Sequence, residues 1–119
     1  MKKDFLHYVE DILDAMAKAE TFVQGLDYEG FATDAKTAFA VTRALEIIGE
    51  AAKKVPRSVR SHYPDVPWKD IAGMRDKLIH EYWGVNLETV WKTVKEDVPS
   101  LKPLFESILQ ASAKKNRTS

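Results

Sequence analysis

Apolar residues recur at every third or fourth position along almost the whole chain, and no segment alternates apolar with polar residues over a strand's length. A period of about 3.6 restricts such a chain to helices, each burying one stripe against its neighbours. Phe5, Val9, Ile12, Leu13, Met16 and Val23 mark a first helix ending near Gly25. The stretch from Leu26 to Ala32, with Gly30 inside it, reads as a loop, and Thr33 reads as the N-cap of the next helix. That second helix carries Ala38, Val41, Thr42, Leu45, Ile48, Gly49 and Ala52 on one stripe. Ala44, Ile47 and Ala51 widen the stripe, which places this helix at the centre of the fold. It is predicted to stop before Pro56, because a residue preceding proline disfavours the helical region.

Three prolines between Pro56 and Pro67 leave room only for a short helical turn. A third helix is predicted from about Trp68 to Trp83, with Pro67 suited to its first turn and Gly84 ending it. Asn86 caps a fourth helix through Val90, Trp91 and Val94; Pro99 interrupts, and a last helix carries Leu101, Leu104, Phe105, Ile108 and Leu109. The expected fold is all-α, a bundle of four to five helices over residues 1–113, with residues 114–119 a frayed tail.

The 119 residues suffice for one domain. Charge is balanced, 18 Lys and Arg against 18 Asp and Glu, so nucleic acid would have to be held by local basic clusters. One such cluster is Lys53, Lys54, Arg57 and Arg60, with His62 and Tyr63; a solvated loop between two helices explains it equally well. The absence of cysteine removes disulfides, thiolate metal sites and a cysteine nucleophile. Neither a signal-peptide core nor an apolar run of membrane-spanning length is present, so a cytoplasmic protein is expected. Gly84 stands where a zincin motif beginning at His80-Glu81 would need its second histidine, and there is no phosphate-binding glycine loop. No metal and no cofactor is expected.

On a straight third helix, with about 100° per residue, Trp68, Ile71, Leu78, Ile79 and Tyr82 share the core-facing stripe and Arg75 falls in its middle. A guanidinium cannot be neutralised, so Arg75 must pair with a carboxylate such as Glu46 or Glu50, snorkel to the core edge, or face a cleft or interface. His80 lies about 140° away from it on the same wheel, beside Gly73. Asp76, four residues before His80, is placed to orient an imidazole. Arg43, Glu46 and Glu50 share a face of the second helix with Phe39, which suits either ordinary intrahelical pairing or a dimer surface.

The run Arg75-Asp76-Lys77-Leu78-Ile79-His80-Glu81-Tyr82 resembles the R-x4-H-x-Y signature of HepT-like toxins within the HEPN group, and Asp76 fills the polar position after the arginine. Three flanking blocks are similar too: Leu45-Glu46-Ile47-Ile48-Gly49-Glu50-Ala51-Ala52, Trp68-Lys69-Asp70-Ile71-Ala72-Gly73, and Trp83-Gly84-Val85-Asn86. The resemblance implies an HEPN-like bundle and a metal-independent endoribonuclease working as a homodimer, the toxin of a toxin–antitoxin pair of type VII. It further implies a nucleotidyltransferase antitoxin (MntA-like) that adenylylates the motif tyrosine, here Tyr82. A non-catalytic HEPN module that serves a separate minimal nucleotidyltransferase is the alternative.

The residues suit that chemistry. An imidazole moves protons near neutral pH, so His80 can serve the 2′-hydroxyl or the leaving oxygen. The Arg75 fork matches phosphate oxygens, and a 2′-hydroxyl nucleophile would exclude DNA. Convergence of Arg75 with His80 requires either a two-fold axis near the third helix, with Gly73 permitting close approach, or a distortion of the helix before Gly84.

Overall fold

The computed structural model describes residues 4–80 and 84–118. Three long helices form its frame: α1 (Asp4–Phe22), α3 (Ala35–Lys54) and α8 (Val98–Thr118). Between them lie α2 (Tyr28–Ala32), α4 (Arg57–Arg60), α5 (Trp68–Ala72), α6 (Met74–Leu78) and α7 (Leu87–Lys92). A two-residue pairing of β1 (Ile79–His80) with β2 (Gly84–Val85) and a π-helical turn (Thr93–Asp97) complete the order. The expected all-α bundle is observed.

The predicted stripes are the core. Val9, Ile12 and Met16 of α1 meet Val41, Leu45 and Ile48 of α3, all fully buried, and Phe105 and Ile108 of α8 close the layer. Each such side chain contributes roughly 1.5–3 kcal/mol on leaving water. Trp68 packs edge-on against Phe105 and donates its indole N–H to the Tyr63 carbonyl at 3.0 Å, seating α5 on α8. Glu20 and Lys102 join α1 to α8 at 2.8 Å, and that hydrogen bond raises the Lys102 pKa.

Several local expectations are corrected. The segment from Leu26 to Ala32 contains a helical turn: the Asp27 carboxylate accepts from Gly30 N–H, and Phe31 inserts fully into the core. Thr33 ends that turn, and the N-cap of α3 is Asp34, whose carboxylate accepts from the N–H and hydroxyl of Thr37. The hydroxyl bond, above all, holds the Asp34 pKa down. Pro99 does not interrupt the chain's last helical stretch. The π-helical turn lies just ahead of it, with Val98 N–H donating to the Thr93 carbonyl five residues back, so the α ladder is already re-registered where the proline lacks a donor. Helix α8 continues to Thr118, through the segment expected as a tail.

Gly49 sets how close α5 and α6 lie to α3. A Cβ built there would sit 3.1 Å from the Ile71 carbonyl oxygen and 3.8 Å from Met74 Cβ. Ile71 is buried, so its backbone has little room to retreat. Gly49→Ala is therefore expected to melt at a lower temperature by circular dichroism, because overpacking costs about 1–3 kcal/mol against a gain of about 1 kcal/mol in helix propensity. Gly49→Val should fall further. A stabilised Gly49→Ala would show that α5 moves aside freely.

Candidate active site

The third helix expected from Trp68 to Trp83 is broken twice. At Gly73 the chain leaves the helical region (φ −87°, ψ 7°), and Asp76 N–H restarts the ladder by donating to the Gly73 carbonyl at 3.1 Å. The break changes the phase. Trp68, Ile71, Met74 and Leu78 take the buried positions, and Arg75, which a straight helix would set among them, does not. Arg75 consequently stands outside the core, its side chain 63% exposed. The straight-helix placement of Arg75 in the core stripe is thereby corrected. Gly73 acts as this break: a Cβ there would approach only the carbonyls of Lys69 and Asp70 on its own helix, and within the chain the close helix approach is at Gly49.

Arg75 meets one of its two expected carboxylates. Its Nε lies 3.5 Å from Glu46 Oε2 on α3. The other oxygen, Oε1, lies 3.5 Å from Arg43 Nη1, which also donates to Glu50 Oε2 at 3.1 Å. The bond to Glu50 is the chief reason that the Arg43 pKa is raised. Two guanidinium groups and two carboxylates thus alternate along the outer face of α3. The Glu46 side chain is only 18% exposed, and it is the sheltered centre of the network. Phe39, on the same face, is 72% exposed.

The second break comes at Leu78. In a continued helix the Leu78 carbonyl would accept from the N–H four residues on; here it accepts from Asn86 N–H at 2.8 Å. Ile79 and His80 become extended and pair antiparallel with Val85 and Gly84. Asn86 caps α7 as expected, accepting from Thr89 N–H at 3.1 Å. Of the two routes to convergence, helix distortion is thus present, and the separation of about 140° between Arg75 and His80 that a straight helix imposes does not apply. Asp76 is exposed, and since α6 ends at Leu78 it does not stand one helical turn before His80. Tyr82 lies outside the described residues.

The comparisons with known proteins cover this whole region. The family described as "Ribonuclease HepT-like" matches residues 12–108, most of the chain and all of the motif. This chain belongs to the HepT-like family. A relative from Thermococcus cleftensis named "Probable ribonuclease HepT" is 51% identical over 91% of this chain and 98% of its own length. A relative from Methanocaldococcus jannaschii named as an inferred RNase is 46% identical over 92% of this chain and 94% of its own. One from Caldanaerobacter subterraneus, also named as an inferred RNase, is 46% identical over 87% and 92%. No solved structure matches the chain.

In this HepT-like chain the basic cluster divides. Lys53 and Lys54 are exposed in the last turn of α3, where their charges also complement the helix dipole, and Arg57 is exposed on α4. Arg60 is half-buried, and its Nε is enclosed without a hydrogen-bond partner among the described residues. Among the described residues no three His, Asp or Glu side chains are gathered as a metal set, and no helix is long and apolar enough to cross a membrane. Sequence reasoning raised Glu46 and Glu50 together as partners for Arg75 but did not choose between them. The signal was available in Gly49: a glycine one turn past Glu46 marks the level at which the motif helix comes closest.

Proposed function

We propose that this chain is a metal-independent endoribonuclease toxin that cleaves RNA through the 2′-hydroxyl, with Arg75 and His80 as its catalytic residues. The observation that carries the reading is the display of Arg75: a guanidinium on a core-packing helix, turned out to solvent and held by one sheltered carboxylate. An arginine kept for packing alone would lay its stem over the core. In this reading Arg75 neutralises the phosphorane and His80 moves the proton, and Asp76 takes its supporting place from its motif position next to Arg75. Lys53, Lys54, Arg57 and Arg60 track the RNA backbone, which compensates for a chain with no net charge.

A homodimer fits the exposed Phe39 and the mixed charges of Arg43, Glu46 and Glu50, since an isologous contact needs both signs on one face. The likeness in the motif supports control by a nucleotidyltransferase antitoxin that adenylylates Tyr82, as in type VII systems, and a cytoplasmic setting for both. The added phosphodiester would bring negative charge and bulk to the face that receives RNA phosphate.

The test is incubation of the purified chain with total cellular RNA in EDTA, before and after co-expression with such a nucleotidyltransferase. Cleavage is expected before, and loss of cleavage with the added mass of AMP after. Tyr82→Phe should cleave in both states and gain no mass. An intact RNA pool with unmodified protein would refute the ribonuclease reading; an AMP adduct on Tyr82→Phe would move the modification to another residue.

A further inference from the structure

We infer that Glu46 is a positioning residue for Arg75, orienting the guanidinium through its Nε so that the Nη edge is presented to the RNA phosphate. The inference rests on the reading of Arg75 as the phosphate-binding cation.

Three observations converge on it. The first is an asymmetry of shelter. The Glu46 side chain is 18% exposed, while those of Arg75 and Arg43 are 63% and 59% exposed, so the carboxylate is the fixed partner and the cations are the free ends. The second is the division of its oxygens, Oε2 to Arg75 and Oε1 to Arg43, with Arg43 tied in turn to Glu50. Rotating the carboxylate away would release Arg75, while Arg43 would keep its bond to Glu50 at 3.1 Å. The third is the backbone: Glu46 sits mid-way along the 20-residue α3, whereas Arg75 rides on the five-residue α6. The rigid element carries the reference point, and Gly49 brings the short one within reach of it.

The chemistry gives this arrangement a purpose. A guanidinium has two bidentate edges, and pairing at Nε leaves the Nη1–Nη2 edge for a phosphate. A contact of 3.5 Å is long in the free protein and is expected to tighten once RNA fills the site. A carboxylate near a phosphate also opposes RNA binding, so its removal has opposite effects on affinity and on turnover. A purely structural carboxylate would not split them.

Glu46→Gln is therefore expected to lower kcat by roughly 10–100-fold through misplacement of Arg75, with KM unchanged or lower. Binding of a 2′-O-methyl RNA should be equal or tighter. The Arg75 Nε–H resonance, assigned by its loss in Arg75→Lys, should exchange slowly in the native chain bound to that RNA and rapidly in Glu46→Gln. Parent-like kcat in Glu46→Gln beside an inactive Arg75→Ala would overturn the role of Glu46 alone. A joint loss of melting temperature, binding and kcat would reduce Glu46 to a structural ion pair and overturn it as well. If the variant does not fold, rapid Nε–H exchange in the native complex overturns the inference. A native chain that cleaves no RNA, or an Arg75→Ala that cleaves normally, removes the reading of Arg75 and this inference with it.

Discussion

Arg75→Ala and His80→Ala are each expected to lower RNA cleavage by about 10²–10⁴-fold while leaving a folded helical protein. A factor of a thousand corresponds to about 4 kcal/mol of transition-state stabilisation. That is far more than the ion pair at Arg75 contributes to folding, because a pair in which the arginine is mostly exposed is worth at most about 1 kcal/mol. Activity and stability should therefore separate at Arg75, as they would not if it were buried in the core stripe. Arg75→Lys keeps the charge but loses the planar fork, so it should retain only part of the activity. Initial rates on a defined RNA, paired with circular dichroism melts, provide the measurement. An His80→Ala protein that cleaves at the parent rate would remove His80 from the mechanism.

The other large effect is expected from the substrate. Replacing the 2′-hydroxyl at the cleaved nucleotide by hydrogen or by 2′-O-methyl should leave the RNA uncut, because that oxygen is the proposed nucleophile and nothing else in the mechanism attacks phosphorus. On unmodified RNA, cleavage should persist in EDTA and leave a 2′,3′-cyclic phosphate, identified by mass spectrometry of the fragments. Efficient cutting of the blocked substrate would rule out 2′-hydroxyl attack, and a 5′-phosphate product would point to water as the nucleophile.

Much of the frame was legible in the residues because it follows from local rules. The stripes on α1, α3 and α8 obey the helical period, Val55 ends α3 ahead of Pro56, and Asn86 caps α7 with the expected bond to Thr89 N–H. The errors arose where two local signals competed. Asp34 displaced Thr33 as the cap of α3 because Thr37 offers its carboxylate two donors. The segment from Leu26 to Ala32 formed a turn because burying Phe31 outweighs the cost of Gly30 within a helix. Pro99 was tolerated because a π-helical turn shifted the register before it.

The sequence by itself determined the all-α class, the identity of the core stripes, and the motif by which the chain joins its family, since each depends on residue type and spacing alone. The placement of the motif was decided only by tertiary structure. A wheel drawn on one straight helix puts Arg75 in the core and His80 behind it; packing of Met74 and Leu78 against the bundle, and capture of the Leu78 carbonyl by Asn86, break that helix at both ends of α6. Arg75 then emerges beside Glu46 because Gly49 lets the two helices approach. Those contacts join residues up to about 30 positions apart, and local periodicity carries no information about which distant carboxylate or carbonyl will arrive.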